Sequence, residues 1–262
     1  MRISVLVFGF LFALAVSCGE RAEGKKKILI VYAHPDDETA IGPVIAKLAK
    51  QHRIILMTLT DGRTGYRDHA KIPKGDSLGA VRKMELECSC QKLGIDSLVM
   101  VGLHEGLGLF EQGNIQGYFR EMRQARELLP KLIQKINPDL IITFGPDGDS
   151  GHIDHRLVSD LVTEAILHEG WVDKYPLYYS SWTHEQGKMY GGLGSVYDDY
   201  LNVEVKFTDQ EEQQYFEALR CHWSQYTEEE LTEMKNEDMS DKSNTIFLRR
   251  FTVARDKTTQ FP

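Results

Sequence analysis

The chain is organised around an apolar run that ends abruptly in polar residues. Ile28–Val31 reads ILIV, and beyond Tyr32 and Ala33 come a histidine, a proline and three consecutive acids, the last of which is Glu38. An uninterrupted apolar run of this length is typical of a strand that is buried on both faces of a parallel sheet. Open α/β sheets carry their sites at the carboxyl ends of such strands. These polar residues are therefore the first candidates for a functional site.

Strand and helix patterns then alternate along the chain to about residue 170. Short apolar runs rich in β-branched residues predict strands, and apolar residues that recur every three or four positions predict helices. The alternation predicts an α/β fold, a three-layer, Rossmann-like, mostly parallel sheet with right-handed crossovers, in which the first and fourth strands can be neighbours. The later strands are predicted at Arg53–Thr60, Ser97–Val101, Asp139–Phe144, Pro176–Trp182 and Leu201–Lys206, and the helices at Glu38–Gln51, Gly79–Gly94, Tyr118–Asn137, from His152 onward, and from Thr208 or Asp209 to about His222.

Local details of this pattern give further expectations. Pro130 lies inside the helix predicted over Tyr118–Asn137, so a kink or a division into two short helices is expected there. A Gly-rich loop is expected at Tyr190–Ser195. The helix over Gly79–Gly94 is predicted to bury one side, formed by Val81, Met84, Leu86, Cys88 and Leu93.

A second polar cluster reads GHIDHR and follows the fourth predicted strand. His152 and His155 are three residues apart and share one face of the helix that begins there. Adjacent first and fourth strands would bring His155 together with His34 and Asp37. Imidazole nitrogen and carboxylate oxygen suit a metal ion and leave Asp36 unligated as a base. The simpler alternatives are that the acids cap the next helix and that the histidines are structural.

The AHPDDE run after a first strand and the distant His-x-Asp-His at a helix start resemble the LmbE/PIG-L family of zinc-dependent N-deacetylases. The resemblance covers Lys27–Arg156. It implies the LmbE-like fold and one Zn²⁺ per chain, with another divalent metal as the alternative. The ligands that the resemblance implies are His34, Asp37 and His155, which leave one coordination position for water.

The same resemblance implies roles for further residues. Asp36 would take a proton from the zinc-activated water as that water attacks the amide carbonyl. His152 would face the developing oxyanion, and Asp154 would orient one of the histidines. Arg82 is expected to reach toward substrate, with a solvated helix charge as the alternative, and Glu105 is expected to hold a sugar hydroxyl.

The expected reaction is removal of the N-acetyl group from a glycan or glycoconjugate that contains N-acetylglucosamine. Two alternatives remain open, an amidase that cleaves another small amide conjugate and a lipoprotein that binds glycan without hydrolysis. The Asp61–Gly65 loop follows a predicted strand and is expected either to form a rim of the site or to be an ordinary surface turn.

The N-terminus predicts an exported protein. Arg2 precedes an apolar stretch that suits the core of a signal peptide, and AVSC at Ala15–Cys18 resembles a bacterial lipoprotein box. We therefore expect a signal peptide over residues 1–17, a tether over 18–26 and a single deacetylase domain over 27–262. The expected location is the cell envelope, periplasmic or attached to the outer membrane, with contact to a membrane only through the lipid anchor. Ordinary secretion is the alternative.

Charge and cysteine content exclude other classes. The chain has 31 basic and 39 acidic residues, and no basic stripe interleaved with aromatic residues, so a nucleic-acid partner is not expected. Apart from Cys18, which lipidation would modify, the chain has three cysteines, and they form no CxxC pair. Because their number is odd and low, a disulfide framework and a structural zinc site are not expected. Buried thiols are expected at Cys88, Cys90 and Cys221.

Overall fold

The computed structural model of the protein describes residues 24–189 and 196–256. Within these ranges the strands are β1 (Lys27–Tyr32), β2 (Arg53–Thr60), β3 (Ser97–Leu103), β4 (Leu140–Phe144), β5 (Leu177–Ser181), β6 (Val203–Lys206) and β7 (Thr245–Arg250). They form one sheet in the order β3-β2-β1-β4-β5-β7-β6. The strands from β1 to β5 pair in parallel, whereas β7 runs antiparallel to both β5 and β6. The predicted mostly parallel α/β sheet is confirmed.

Helices cover both faces of the sheet. They are α1 (Gly42–Ala49), α2 (Asp76–Leu93), α3 (Gly106–Glu111), α4 (Ile115–Ile136), α5 (Ile153–His168), α6 (His184–Met189), α7 (Asp209–Leu219) and α8 (Glu228–Asp238). Short 3₁₀ turns at Asp37–Ile41 and Asp198–Tyr200 complete the helical elements. No helix in the part of the chain described is both long enough and apolar enough to cross a membrane.

Strand β1 lies at the centre of the five parallel strands, and the core has one layer on each of its faces. Its alternate side chains Leu29 and Val31 pack on one face with α4 and α5, and Ile28, Ile30 and Tyr32 pack on the other with α1, α2 and α7. All of these side chains are buried. Because both faces are covered, the strand is apolar from Ile28 to Val31, as the sequence predicts.

The neighbours of β1 bring the two polar clusters together. Ile28–Ile30 pair in parallel with residues 140–142 of β4, and the Tyr32 ring stacks on the Phe144 ring with centroids 4.2 Å apart. The chain segments that leave these two strands therefore begin side by side. The predicted adjacency of the first and fourth strands is confirmed.

Of the two alternatives expected around Pro130, a kink and a division into two short helices, the division is wrong. Helix α4 runs from Ile115 to Ile136 with Pro130 inside it. Its apolar stripe continues across the proline, since Leu129 and Ile133 are both buried in the core. Packing of that stripe therefore offsets the backbone hydrogen bond that a proline removes.

The expected buried side of the second long helix is partly wrong. Met84 is 61% exposed, whereas Arg82, Glu85 and Ser89 on α2 are buried. This helix therefore turns a partly polar stripe inward, which a search for apolar periodicity misses. Strand β7 was not predicted. It is an interior strand that lies between β5 and β6 and pairs antiparallel with both.

The expectation that all the cysteines are unpaired is also wrong. Cys88 and Cys221 form a disulfide across 133 positions of sequence, with Cα atoms 5.8 Å apart. Cys90 is free and buried, as expected. Positions two apart on a helix point to different faces, so Cys88 faces the end of α7 while Cys90 faces the core. An odd number of cysteines leaves one thiol over but does not exclude one bridge.

Some expectations concern residues outside the described ranges. Among these are the signal peptide over 1–17, the lipidation of Cys18, the greater part of the 18–26 tether and the Tyr190–Ser195 loop.

Candidate active site

A cavity of about 620 Å³ opens at the carboxyl ends of the parallel strands. A volume of this size is in the usual range for small-molecule sites. All the residues predicted to form the site line this cavity: His34, Asp36, Asp37, Arg82, Glu105, His152, Asp154 and His155.

Three histidines converge at one end of the cavity. The ring centroids of His34, His152 and His155 are 4.9 to 5.3 Å apart. Each ring offers one nitrogen, and these nitrogens lie within 4.8 Å of one another. His34 follows β1, while His152 caps α5 and His155 lies in its first turn. The cluster is therefore a direct product of the adjacency of β1 and β4.

Asp37 joins the two clusters. Its Oδ2 accepts hydrogen bonds from the backbone N–H groups of His34 and Ala33 at 2.8 and 3.0 Å, and its Oδ1 lies 3.0 Å from Nε2 of His155. Burial by itself raises the pKa of Asp37, but the charges of His155 and His34 outweigh burial and hold that pKa well below the ordinary value. Asp37 is thus an ionised carboxylate against the histidine cluster.

Two of the histidines have one nitrogen fixed by the backbone. Nδ1 of His155 lies 3.1 Å from the Gly148 carbonyl, which only an N–H can contact favourably. Neutral His155 therefore has its lone pair on Nε2, the nitrogen that faces Asp37. Nδ1 of His152 accepts from the backbone N–H of Asp154 at 3.2 Å. Neutral His152 therefore carries its proton on Nε2 and can donate it.

Asp154 supports the third histidine. Its Oδ2 lies 3.4 Å from Nε2 of His34, and its Oδ1 accepts from the backbone N–H of Gly106 at 2.8 Å. Burial opposes ionisation of Asp154, but the hydrogen bond and the charge of His34 lower its pKa. Burial also lowers the pKa of His34, yet Asp37 and Asp154 together raise it to about 10. The carboxylates stabilise positive charge at this point.

Asp36 and Arg82 form an ion pair. Nη2 of Arg82 lies 2.9 Å from Oδ1 of Asp36 and also donates to the Pro35 carbonyl, while Nη1 donates to the Gly62 carbonyl at 3.0 Å. Burial raises the pKa of Asp36 and Arg82 opposes this effect, with a raised pKa as the net result. Asp36 is thus a desolvated carboxylate that the guanidinium holds in one orientation.

Arg82 differs from the expectation of a solvated charge, because it is only 3% exposed. A Cβ at Gly62 would lie 2.2 Å from Nη1 of Arg82, and Gly62 has φ of +69°, so this turn requires glycine to admit the guanidinium. The geometry makes Arg82 a neighbour of Asp36. Contact between Arg82 and a substrate stays a prediction.

Glu105 connects the site to the loop after β2. The side chain is buried, and Oε2 accepts from the backbone N–H of Thr64 at 2.9 Å. Thr64 and Gly65 line the cavity, whereas Asp61 pairs with Arg63 at 2.6 Å. The end of the Asp61–Gly65 loop thus forms part of the rim. The contact between Glu105 and a sugar hydroxyl stays a prediction.

Several cavity residues were missed by the sequence-based reasoning. Asp149 and Trp182 line the cavity beside the histidines, and Gln225 and Tyr226 close another wall. An acid in the Gly-rich loop directly before His152 was a signal that could have drawn attention to Asp149. Trp182 carries no local signal of this kind, whereas Gln225 and Tyr226 end the segment HWSQY, which resembles the closing segment of the LmbE/PIG-L family but gives neither residue a role.

The residues present fit a borderline divalent metal such as zinc. Imidazole nitrogens with adjacent carboxylates are its usual donors. The observation that supports the fit is the close approach of three histidines to ionised carboxylates, an arrangement that stabilises positive charge. Asp37 and Asp154 lie where they can either bind the ion or orient an imidazole.

Sequence comparison gives a family match. The chain matches the family described as GlcNAc-PI de-N-acetylase, PIG-L, over residues 29–166. A 1D-myo-inositol 2-acetamido-2-deoxy-alpha-D-glucopyranoside deacetylase 1 of Frankia casuarinae is 29% identical over 171 residues, which are 58% of this chain and 55% of that protein. The chain thus spans about half the length of this relative. The Probable N-acetyl-alpha-D-glucosaminyl L-malate deacetylase 2 of Bacillus anthracis is 27% identical over 232 residues, 86% of this chain and 92% of that protein.

Solved structures share the fold. The N,N'-diacetylchitobiose deacetylase of Pyrococcus horikoshii superposes with a TM-score of 0.63 at 21% identity, covering 86% of this chain and 84% of that one. The 4-carboxy-2-hydroxymuconate hydratase of Pseudomonas putida KT2440 superposes with a TM-score of 0.58 at 15% identity, covering 90% of this chain and 100% of that one. At such identities the likeness shows the fold alone, and the second structure carries a different chemistry on it.

Proposed function

We propose, since this chain belongs to the PIG-L family of GlcNAc-PI de-N-acetylases, that it hydrolyses the N-acetyl group of a substrate containing N-acetylglucosamine with the help of a divalent metal, zinc. The observation that carries the proposal is the meeting, in one cavity, of the histidine cluster and the ion-paired carboxylate Asp36. Metal ligands and an acid–base pair are the two sets that this reaction needs.

The proposed ligands are His34, Asp37 and His155. Zinc bound there would act as a Lewis acid and would lower the pKa of a bound water toward about 7. The carboxylate of Asp37 faces His155 at 3.0 Å, and the carbonyl of Gly148 keeps the ring of His155 in one orientation. The carboxylate of Asp154 likewise keeps the ring of His34 in one orientation.

Asp36 is the proposed base. It takes a proton from the attacking water as the new C–O bond forms at the amide carbon, and Arg82 keeps its carboxylate in place. His152 donates its Nε2–H to the carbonyl oxygen as negative charge develops there. The C–N bond then breaks, the proton that Asp36 took from the water passes to the leaving amine, and acetate and the free amino sugar leave.

We further propose that the protein is exported and anchored through Cys18. The Cys88–Cys221 disulfide supports this proposal, because disulfides persist in oxidising compartments and are rare in the cytosol. The domain begins at the amino end of β1, whereas the cavity lies at the carboxyl ends of the strands. An anchored chain would thus carry its cavity on the side away from the tether, which suits an envelope or extracellular glycan.

Acetate release tests the proposal. The mature protein, loaded with zinc, is assayed on N-acetylglucosamine and its conjugates, with and without a chelator, beside an Asp36→Asn variant. We expect release that the chelator abolishes and that the variant lacks. Release of a larger acyl group only would favour the amidase alternative, and glycan binding without any release would favour the binding lipoprotein. Activity only on cytosolic thiol conjugates of the sugar would contradict the exported location.

A further inference from the structure

We propose that Asp149, with Trp182 beside it, is a binding site for sugar hydroxyl groups and so selects polyhydroxylated amides as substrates. The inference deepens the proposed function and rests on it, since it names how the same cavity recognises its substrate class. Asp149 lies in the loop between β4 and α5, and both residues line the cavity.

The first observation is the state of the Asp149 carboxylate. Oδ1 accepts a hydrogen bond from Nε1 of Trp182 at 2.6 Å. No other donor to this side chain and no ion pair with it is found among residues 24–189 and 196–256. An ionised carboxylate offers about four acceptor positions. The Asp149 carboxylate can therefore accept further hydrogen bonds from a ligand in the cavity.

The second observation separates Asp149 from the metal cluster. Within the part of the chain described, neither a hydrogen bond nor an ion pair joins Asp149 to His34, Asp37 or His155, the proposed ligands, and its carboxylate bonds to Trp182 instead. Asp149 is close enough to His155 for their charges to interact, so it borders the reacting end of the cavity. It is placed to contact the part of the substrate next to the amide.

The third observation is the backbone. Asp149 has φ of +59°, between Gly148 at +69° and Gly151 at +79°. Left-handed backbone is costly for a residue with a side chain, although aspartate tolerates it better than most. A third glycine would fit the turn more readily. An observed departure of this kind at a cavity wall points to a functional reason for the side chain.

The side chains of Asp149 and Trp182 together indicate which class of ligand binds between them. A carboxylate accepts hydrogen bonds from hydroxyl groups, and the indole of Trp182 adds an apolar surface that can pack on the C–H face of a sugar ring. A cationic ligand would also suit a carboxylate, but a divalent ion held by the proposed ligands beside it would repel a cation. The pair therefore fits a neutral sugar.

The test uses variants that separate binding from folding. Asp149→Gly removes the carboxylate and relieves the backbone, so it is expected to keep or raise the melting temperature. It is also expected to raise KM for N-acetylglucosamine conjugates about tenfold to a hundredfold, the range for a lost hydrogen bond to a charged group. Lys71→Gly is the matched control, since Lys71 also has positive φ, at +53°, but does not line the cavity. It is expected to leave KM unchanged.

A direct binding measurement completes the test. The Asp36→Asn variant is expected not to hydrolyse the N-acetylglucosamine conjugate. Calorimetry on this variant, with and without Asp149→Gly, therefore gives the Kd of the intact conjugate. A rise in Kd of tenfold or more on loss of Asp149 supports the inference. It does so even if the parent protein releases no acetate, because a lack of release would contradict only the proposed reaction. A KM and Kd within twofold of the parent, or a lower melting temperature with unchanged KM, would overturn it. If the glycine variant does not fold, Asp149→Asn and Trp182→Phe decide by the same two constants.

Discussion

Nε2 of His222 lies 2.7 Å from Oε1 of Glu38, and both side chains are fully buried. The Ser89 hydroxyl donates to the same oxygen at 2.5 Å, and the other oxygen of Glu38 accepts from the backbone N–H of Asp36 at 3.1 Å. Glu38 thus faces away from the cavity. It ties the loop that carries Asp36 to α2 and to the segment after α7.

Breaking this buried pair should destabilise the fold. Glu38→Gln is expected to lower the free energy of unfolding by about 3 kcal/mol or more, because removal of one partner leaves the other charge buried without compensation. Urea denaturation measures the change. Glu228→Gln is the matched control, since Glu228 pairs with Arg220 at 2.5 Å on the exposed surface and should cost less than about 1 kcal/mol. Equal losses in the two variants would contradict the prediction.

The same pair should make stability depend on pH. Burial lowers the pKa of His222, but the Glu38 carboxylate more than offsets this effect, and the net shift is upward. Native His222 therefore holds its proton more tightly than in the unfolded chain, where the pKa is about 6.5. Its stabilisation is complete below that pH and is lost as pH rises through the higher native pKa.

Denaturation from pH 6 to pH 9, compared between the parent and His222→Gln, isolates this contribution from that of the other histidines. The parent should lose more stability over this range than the variant. Parallel curves would show that His222 does not titrate in this way.

The site was predictable where its residues lie next to strand ends. His34 and Asp37 follow β1 by a few residues, and His155 lies in the first turn after the β4 loop. A parallel sheet places these ends at one edge whatever the intervening sequence does. Local pattern and fold class together were therefore enough to assemble the cluster.

The features that the sequence did not predict depend on contacts between distant segments of the chain. His222 is 184 positions from Glu38, and Cys221 is 133 from Cys88, so neither pair has a local signature. Periodicity also fails on α2, because the stripe that it buries includes Arg82 and Glu85, which are held by ion pairing and hydrogen bonds. These buried polar contacts follow from the tertiary arrangement.

Arg82 should act on the rate more than on substrate affinity. Because its guanidinium contacts Asp36 and two backbone carbonyls, Arg82→Ala is expected to lower kcat about tenfold to a hundredfold through loss of the orientation of Asp36. Arg82→Lys should recover little, since an ammonium cannot make these forked contacts. Steady-state kinetics separates the constants, with Lys83→Ala on the exposed side of α2 as control. A change confined to KM would instead support direct contact with substrate.

The disulfide should contribute measurably to stability. The Cys88→Ser, Cys221→Ser double variant is expected to lose about 2–5 kcal/mol of unfolding free energy, since the bridge closes a long loop in the unfolded chain. A reductant should destabilise the parent to a similar extent and leave the double variant unchanged. Thiol titration of the unfolded mature domain should find only Cys90 between residues 27 and 262. Three reactive thiols there, or a parent insensitive to reductant, would contradict the bridge.

Metal content should distinguish two ligand sets. The nitrogens of His34, His152 and His155 lie close enough to bind one ion, yet the backbone N–H of Asp154 occupies Nδ1 of His152, whose Nε2 then carries the proton. We therefore expect Asp37→Asn to weaken zinc binding at least tenfold, whereas His152→Ala retains one zinc per chain and loses about a hundredfold in kcat. Mass-spectrometric metal analysis after dialysis reports the first effect and acetate release the second. His104→Ala, at an exposed position, serves as control. Loss of zinc in His152→Ala with retention in Asp37→Asn would mean that the three histidines hold the metal, and that His152 does not supply the proposed hydrogen bond to the carbonyl oxygen.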